Sequence, residues 1–212
     1  MPDLLTVPLH SERLDLVPLR LDHAAEMAAV LADPALYAFT GGAPATVDEL
    51  RARYARMLAG APDPAVDWCN WVLRLRAEGA LAGTVQATLA PAGEAAPPAG
   101  REHTAPPGSP TPDPAAYGSP APGSAPSGPA RAAGRVAEIA WVVGAEWQGR
   151  GLASEAARAL VAWLGTQDVS TVVAHVHPDH HASAAVAAAA GLSPTAGRQD
   201  GEVRWELALP RS

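Results

Sequence analysis

The chain has 212 residues, of which 48% are apolar, and carries a formal net charge of −7 with a pI near 5.4. That length holds one ordinary domain with a proper core, and the acidity argues against a nucleic-acid surface while favouring a cationic partner such as an amine. Cys69 is the single cysteine, so an intrachain disulfide and a cysteine-based metal centre are excluded.

Residues 14–19, Leu-Asp-Leu-Val-Pro-Leu, alternate like a first strand, with Pro18 at an edge or an end. Asp22 is expected to cap a helix running to about Leu31, where Asp33-Pro34 stops it. Thr46-Val47-Asp48-Glu49 is a capping box opening a second helix to about Leu58, ended by Gly60. Arg51, Arg53 and Arg56 spread round that helix, as a solvated surface does. Residues 68–76 and 81–89 are strand-like runs joined by a hairpin turn, Ala77-Glu78-Gly79-Ala80. Trp68, Cys69 and Trp71 read as packing residues.

The character then changes. Residues 91–134 hold twelve of the chain's 22 prolines, mixed with Gly, Ala and Ser and almost no branched aliphatic residues. Such a composition buries too little apolar surface to offset its ordering entropy. It is expected to be a disordered insertion between neighbouring strands, tolerable because loop closure grows only with the logarithm of length.

The stretch that follows organises the chain. Residues 136–143 are β-branched and aromatic, a strand, and Ala153, Ala156, Ala157, Leu160, Val161 and Leu164 mark one face of a buried helix. Between them lies Gln148-Gly149-Arg150-Gly151-Leu152-Ala153. The first amides of a helix lack intrahelical partners and carry the positive end of its dipole. Glycines there let phosphates approach the main chain. Strand, glycine turn and helix thus describe a cradle for a pyrophosphate, whether of a nucleotide, a dinucleotide or coenzyme A.

A nucleoside-triphosphate loop needs Lys-Ser/Thr after its second glycine. Here Leu152-Ala153 follows Gly151, and all fifteen basic residues of the chain are arginine. A dinucleotide fingerprint needs a third small site and a distant acid. Ser154 stands at the third site, and Asp168 precedes the next strand instead of ending it. Past the turn, residues 171–177 form a strand, and His177-Pro178-Asp179-His180-His181 leads into an alanine-rich helix ended by Gly191. Residues 192–198 and 202–209 pair across Asp200-Gly201.

The pattern Gln/Arg-x-x-Gly-x-Gly/Ala at residues 148–153, within Trp147-Gln148-Gly149-Arg150-Gly151-Leu152-Ala153-Ser154-Glu155-Ala156, resembles the GNAT acetyltransferase superfamily. It looks most like the branch of ribosomal-protein N-terminal acetyltransferases. The resemblance implies a mixed α/β fold with a central, mostly antiparallel sheet, splayed strands and flanking helices. Residues 1–90 and 135–212 would be the halves of one domain and 91–134 an insertion. It implies acetyl-CoA as co-substrate, held by Gln148, Gly149, Arg150, Gly151, Leu152, Ala153 and Ser154, and by main-chain groups of a bulged strand at Trp141, Val142 and Val143. The helix after His177-Pro178 would add Ser183 and, where the family has asparagine, His180. The helices around the Phe39-Thr40-Gly41-Gly42 loop fall where the family builds its acceptor wall.

Two residues are candidates for the catalytic base: Glu138, matching a glutamate that several members use, and, as the alternative, His177 at the end of the next strand. The family's proton-donating tyrosine is replaced by Ala187. The resemblance implies an amine acceptor, either a protein α-amine or a small molecule. An amine of pKa about 10.4 is only about 0.04% neutral at pH 7, against more than about 10% for an α-amine near 7.8; the gap is worth roughly 3.5 kcal/mol of help from a base. Two other readings stay open. His175, His177, His180 and His181 invite a metal, although no zinc-binding motif supports one and none is expected. The missing tyrosine and asparagine also fit a non-catalytic acyl-CoA-binding module. With no charged-then-apolar leader and no long apolar run, the protein is expected to be cytoplasmic, away from membranes and nucleic acid, as a monomer or homodimer.

Overall fold

A computed structural model describes residues 6–92 and 134–210. The short strand β1 (Leu9–His10) turns into β2 (Leu14–Pro18), which pairs antiparallel with it and with β3 (Asp67–Leu75). Between β2 and β3 come two helices, α1 (Ala24–Val30) and α2 (Val47–Ala59). The start of α1 differs from expectation. A 3-10 turn, Leu21–His23, precedes it, and the Asp22 carboxylate binds the Arg20 guanidinium instead of capping the helix. The capping box of α2 forms as read: Glu49 N–H donates to Thr46 Oγ1, and Thr46 N–H donates to Glu49 Oε2 at 2.8 Å.

β3 and β4 (Leu81–Pro91) form the expected hairpin, and β4 pairs in turn with β5 (Arg135–Val143). The pairing closes with Pro91 opposite Arg135, so the main chain leaves and re-enters through adjacent strands. The disorder expected over residues 91–134 falls largely outside the described residues. β5 then passes through α3 (Leu152–Leu164) to β6 (Val169–Val176), its one parallel neighbour. Parallel strands need such a crossover, and here it is the glycine turn and helix read from the sequence. Last come α4 (His181–Ala189), β7 (Ser193–Gln199) and β8 (Glu202–Ala208), the two strands joined by a tight turn with Asp200 and Gly201 at positive φ. β8 inserts between β6 and β7, giving the order β1-β2-β3-β4-β5-β6-β8-β7. This is a mixed α/β fold with a mostly antiparallel sheet flanked by helices.

Strand alternation divides the core between the two faces. On one face, Leu152, Ala156, Ala157, Leu160 and Leu164 of α3 pack with Leu14, Leu16, Trp71, Leu73, Ile139 and Val172. Trp71 is fully buried there, edge-on to Trp163 at 5.2 Å, and Cys69 is buried, its thiol pushed up to about 11 by desolvation. Both are packing residues, as expected. On the other face, α1 and α2 cover Val17, Val72, Leu81 and Val142 through Met27, Leu50 and Tyr54. That second core draws on β2 to β5 and takes no residue from β6 or β8. No described helix is long and apolar enough to cross a membrane.

Candidate active site

The turn between β5 and α3 is exposed from Gln148 through Gly151. Gly149 and Gly151 both lie in the left-handed region, at φ +71° and +75°, and Gly151 directly precedes the helix. A Cβ built on Gly149 would meet nothing within 4 Å, so that side of the turn is open to a ligand. The first turn of α3 closes with Glu155 N–H donating to Gly151 O at 3.1 Å. The amides of Leu152, Ala153 and Ser154 thereby stand at the positive end of a 13-residue helix. Gln148 joins the turn to the strand, its Nε2 donating to Val143 O at 3.1 Å. Arg150 lies over the Trp147 ring at 5.0 Å and 3.6 Å from Glu78.

A collar that the sequence did not reveal holds this turn from behind. Glu155 is 8% exposed and accepts from Ser11 Oγ, Arg13 N and Arg13 Nε, each at 2.7 Å. Arg13 Nη1 also donates to Arg150 O at 2.9 Å. One guanidinium therefore ties the β1–β2 connection to both the glycine turn and the helix. Burial works to raise the Glu155 carboxyl, but the bonds from Ser11 and Arg13 outweigh it and hold it below the ordinary value. The partners are more than 130 residues apart in sequence, and no local pattern announces them. Beside the collar runs a depression of about 550 Å³ lined by His10, Ser11, Arg13, Glu155 and Arg158. It lies on the α3 side and does not include the candidate bases.

The second half of the site lies where β5 and β6 part. Their parallel register runs from Arg135↔Val169 to Glu138↔Val173 and ends there, while β5 continues to Val143 and β6 to Val176. The main chain of residues 139–143 on that side is thus not committed to β6. The side chains of Trp141 and Val143 pack against the α3 core and that of Val142 against the α1–α2 core, while the main chain on the β6 side stays unpaired with β6. The expected bulge is not found in the pairing with β4, which runs unshifted from Gly83↔Val143 to Pro91↔Arg135. Close approach replaces it. A Cβ on Gly83 would lie 2.1 Å from Val142 O, so only glycine lets the facing strand come this close, beside the register irregularity at Leu73/Arg74 in the β3–β4 pairing.

Glu138 lies in the fourth position of β5 and is 4% exposed, not a surface residue at a strand start. Its Oε1 is 3.1 Å from His175 Nδ1, with side-chain exposures of 6% and 8%. His177 falls just past the end of β6, half-buried, with its ring 5.2 Å from that of Phe39. Asp179 N–H donates to His177 Nδ1 at 3.2 Å. With Nδ1 accepting that bond, a neutral ring carries its proton on Nε2, and the lone pair on Nδ1 faces the Asp179 amide. His180 stacks on Phe39 at 4.4 Å and 21°, turning its ring toward the loop of residues 39–42. Burial, and then the neighbouring His177, push His180 below its ordinary value. Ser183 sits half-buried in the first turn of α4, and Ala187 is fully buried, so that helix offers no acid at the family's tyrosine position. Among the described residues no group of three or more His, Cys, Asp or Glu is placed to hold a metal.

Comparison with known proteins bears on this geometry. A family profile described as "Acetyltransferase (GNAT) domain" matches residues 13–100 and 119–193, breaking within the proline-rich stretch. No curated protein sequence gives a significant match. Among solved structures, an acetyltransferase from Agrobacterium tumefaciens str. C58 superposes with a TM-score of 0.60 at 22% identity, over 95% of this chain and 94% of that one. The ribosomal L7/L12 α-N-protein acetyltransferase RimL in complex with coenzyme A gives 0.60 at 14% identity, over 96% and 98%. The aminoglycoside acetyltransferase AAC(6')-Ib in complex with coenzyme A gives 0.58 at 18%, over 92% and 94%. The profile spans well over half of the chain, on both sides of the glycine turn and the strand that carries Glu138, and the protein is therefore a member of the GNAT acetyltransferase family.

Proposed function

We propose that the protein transfers an acetyl group from acetyl-CoA to a primary amine by direct attack, with Glu138 as the base. The observation that carries this reading is a juxtaposition along β5. At one end is an exposed glycine turn with space for phosphates; further back is a buried carboxylate where two parallel strands separate. The amides of residues 149–154 would hold the pyrophosphate, and the uncommitted main chain of residues 141–143 would hold the pantetheine arm. A main-chain N–H there would face the thioester oxygen as charge develops on it. Gln148 keeps turn and strand in register, and His180 and Ser183 would flank the arm from the α4 side. The proposal takes residues 1–90 and 135–212 as one domain and 91–134 as an insertion, which the Pro91↔Arg135 pairing supports.

Of the two candidate bases, Glu138 is favoured because the Nδ1 of His177 is engaged by Asp179. With Ala187 buried at the tyrosine position, the thiolate departs without an acid from α4. RimL acts on a protein α-amine and AAC(6')-Ib is an aminoglycoside acetyltransferase, and either kind of amine suits this chemistry. Amines of pKa near 8 should react faster than lysine-type amines, since less is asked of the base. The test is thiol release from acetyl-CoA against a panel of both kinds, alongside calorimetric binding. Turnover that falls in Glu138→Gln with acetyl-CoA affinity retained supports the proposal. Binding with no turnover for any amine would make the protein an acyl-CoA-binding module.

A further inference from the structure

The contact between Glu138 and His175 reaches beyond the base assignment, on which this inference rests. Glu138↔Val173 is the last parallel pair between β5 and β6, and His175 lies two residues further on, on the same face of β6 as Val173. The main chain of His175 is paired instead with Arg204 of β8. Its side chain nevertheless reaches back to Glu138, Nδ1 to Oε1 at 3.1 Å, and both side chains are more than nine-tenths buried. An imidazole–carboxylate hydrogen bond thus crosses the two strands at the point where their main-chain bonds stop. Arg204, the neighbouring cation on this face, is occupied by Glu206 at 3.0 Å. Thr88, opposite Glu138 on β4, is buried and carries no charge. The imidazole of His175 is bonded to the Glu138 carboxylate across the strands. It can donate a proton without bringing the permanent charge of a guanidinium.

We propose that His175 is a positioning residue for acetyl transfer: its Nδ1–H donates to Glu138 Oε1 and sets the direction in which the carboxylate meets the amine. In the reaction the amine nitrogen bonds to the thioester carbon. The C–S bond breaks with its electron pair staying on sulfur, and the proton shed by nitrogen goes to Glu138, directly or through one water. The thiolate is later protonated by solvent. His175 neither gains nor loses a proton in that step; it holds the acceptor of the proton in one orientation, and a misdirected base loses much of its contribution.

The test compares His175→Ala, which removes the donor, with His175→Asn, whose side-chain amide can place an N–H near the position of Nδ1. Steady-state kinetics with acetyl-CoA and a reactive amine, with Glu138→Gln in parallel, give the readout. His175→Ala should lower kcat about tenfold with the KM for acetyl-CoA within about twofold, and His175→Asn should recover most of the loss. Added to Glu138→Gln, His175→Ala should cost less than about twofold, because the two act as a unit. The inference is overturned if Ala and Asn are equally impaired, or if the Glu138 and His175 effects multiply, since either marks an independent structural role. It is also overturned if His175→Ala matches the wild type while Glu138→Gln is disabled, an outcome that leaves the base assignment intact. Full activity in Glu138→Gln would instead remove the base assignment and this inference with it.

Discussion

Two buried carboxylates define two regions of this molecule, the collar around Glu155 and the mouth around Glu138. Glu155 is gripped by a hydroxyl, a main-chain amide and an arginine, with no bond left to the reaction. Glu138 meets a histidine between strands that have just ceased to pair. The same side-chain chemistry serves as fastening in one place and, in the mechanism proposed above, as the base in the other. What separates them is the partner: a permanently charged fork on one carboxylate, an imidazole on the other.

Making one substitution in both places is the sharpest way to break that comparison. Glu138→Gln should lower kcat about a hundredfold, while leaving the melting temperature within about 2 °C and the acetyl-CoA affinity nearly unchanged. Should it unfold the protein instead, the mouth is merely another collar. Gly151→Val places a β-branched side chain at φ +75°, near Arg13 Nη2. It should weaken acetyl-CoA binding by at least about thirtyfold and cost about 1–2 kcal/mol of stability, both visible by calorimetry. Glu155→Gln should reverse the first pattern. Loss of the charge acceptor for Ser11 and Arg13 destabilises by about 1–2 kcal/mol and loosens the cofactor turn, while kcat at saturating acetyl-CoA stays within about threefold.

Acid titration sharpens the contrast further. The His180 value lies below that of an unfolded histidine, mainly through burial, so its share of stability is present above about pH 6.5 and is lost as pH falls below that. Glu155 is depressed because the bonds from Ser11 and Arg13 outweigh its desolvation. Its share is present above about pH 4.3 and is lost only as pH falls through the lower folded value. Melting curves against pH should therefore lose the higher step in His180→Asn and the lower one in Glu155→Gln. The smallest effect is expected from deleting residues 97–129. The shorter loop should leave activity intact and raise stability by no more than about 1 kcal/mol, and a fall of many degrees in melting temperature would show that the segment supports the fold.

How much of this could be read beforehand depends on how local each signal is. The strand, glycine turn and helix of residues 136–164 were legible because periodicity, two glycines and a helix start act within a few residues of one another. The Thr46–Glu49 box and the Asp200-Gly201 turn were legible for the same reason. Asp22 misled because its neighbour Arg20 offered a stronger partner than the helix amides. Arg13 was silent, since its meaning depends on a helix that begins far along the chain. His175 was visible only as one histidine among several, and its partner emerges when β5 and β6 lie side by side. The bulge expected at residues 141–143 came from the family likeness. The structure shows instead a close approach of Gly83 to Val142 O, made by a residue unremarkable in one dimension.

The Pro91↔Arg135 pairing has one more implication. Arg135 is tied to its surroundings on three sides: its N–H donates to Asp168 O, Nη2 donates to Leu89 O, and Nη1 pairs with Asp67. The end of the β4–β5 pair at Pro91 and Arg135 is therefore anchored by Asp67, Leu89 and Asp168. If deletion of residues 97–129 leaves activity intact as predicted, the length of the proline-rich stretch can change without disturbing the chemistry proposed for β5.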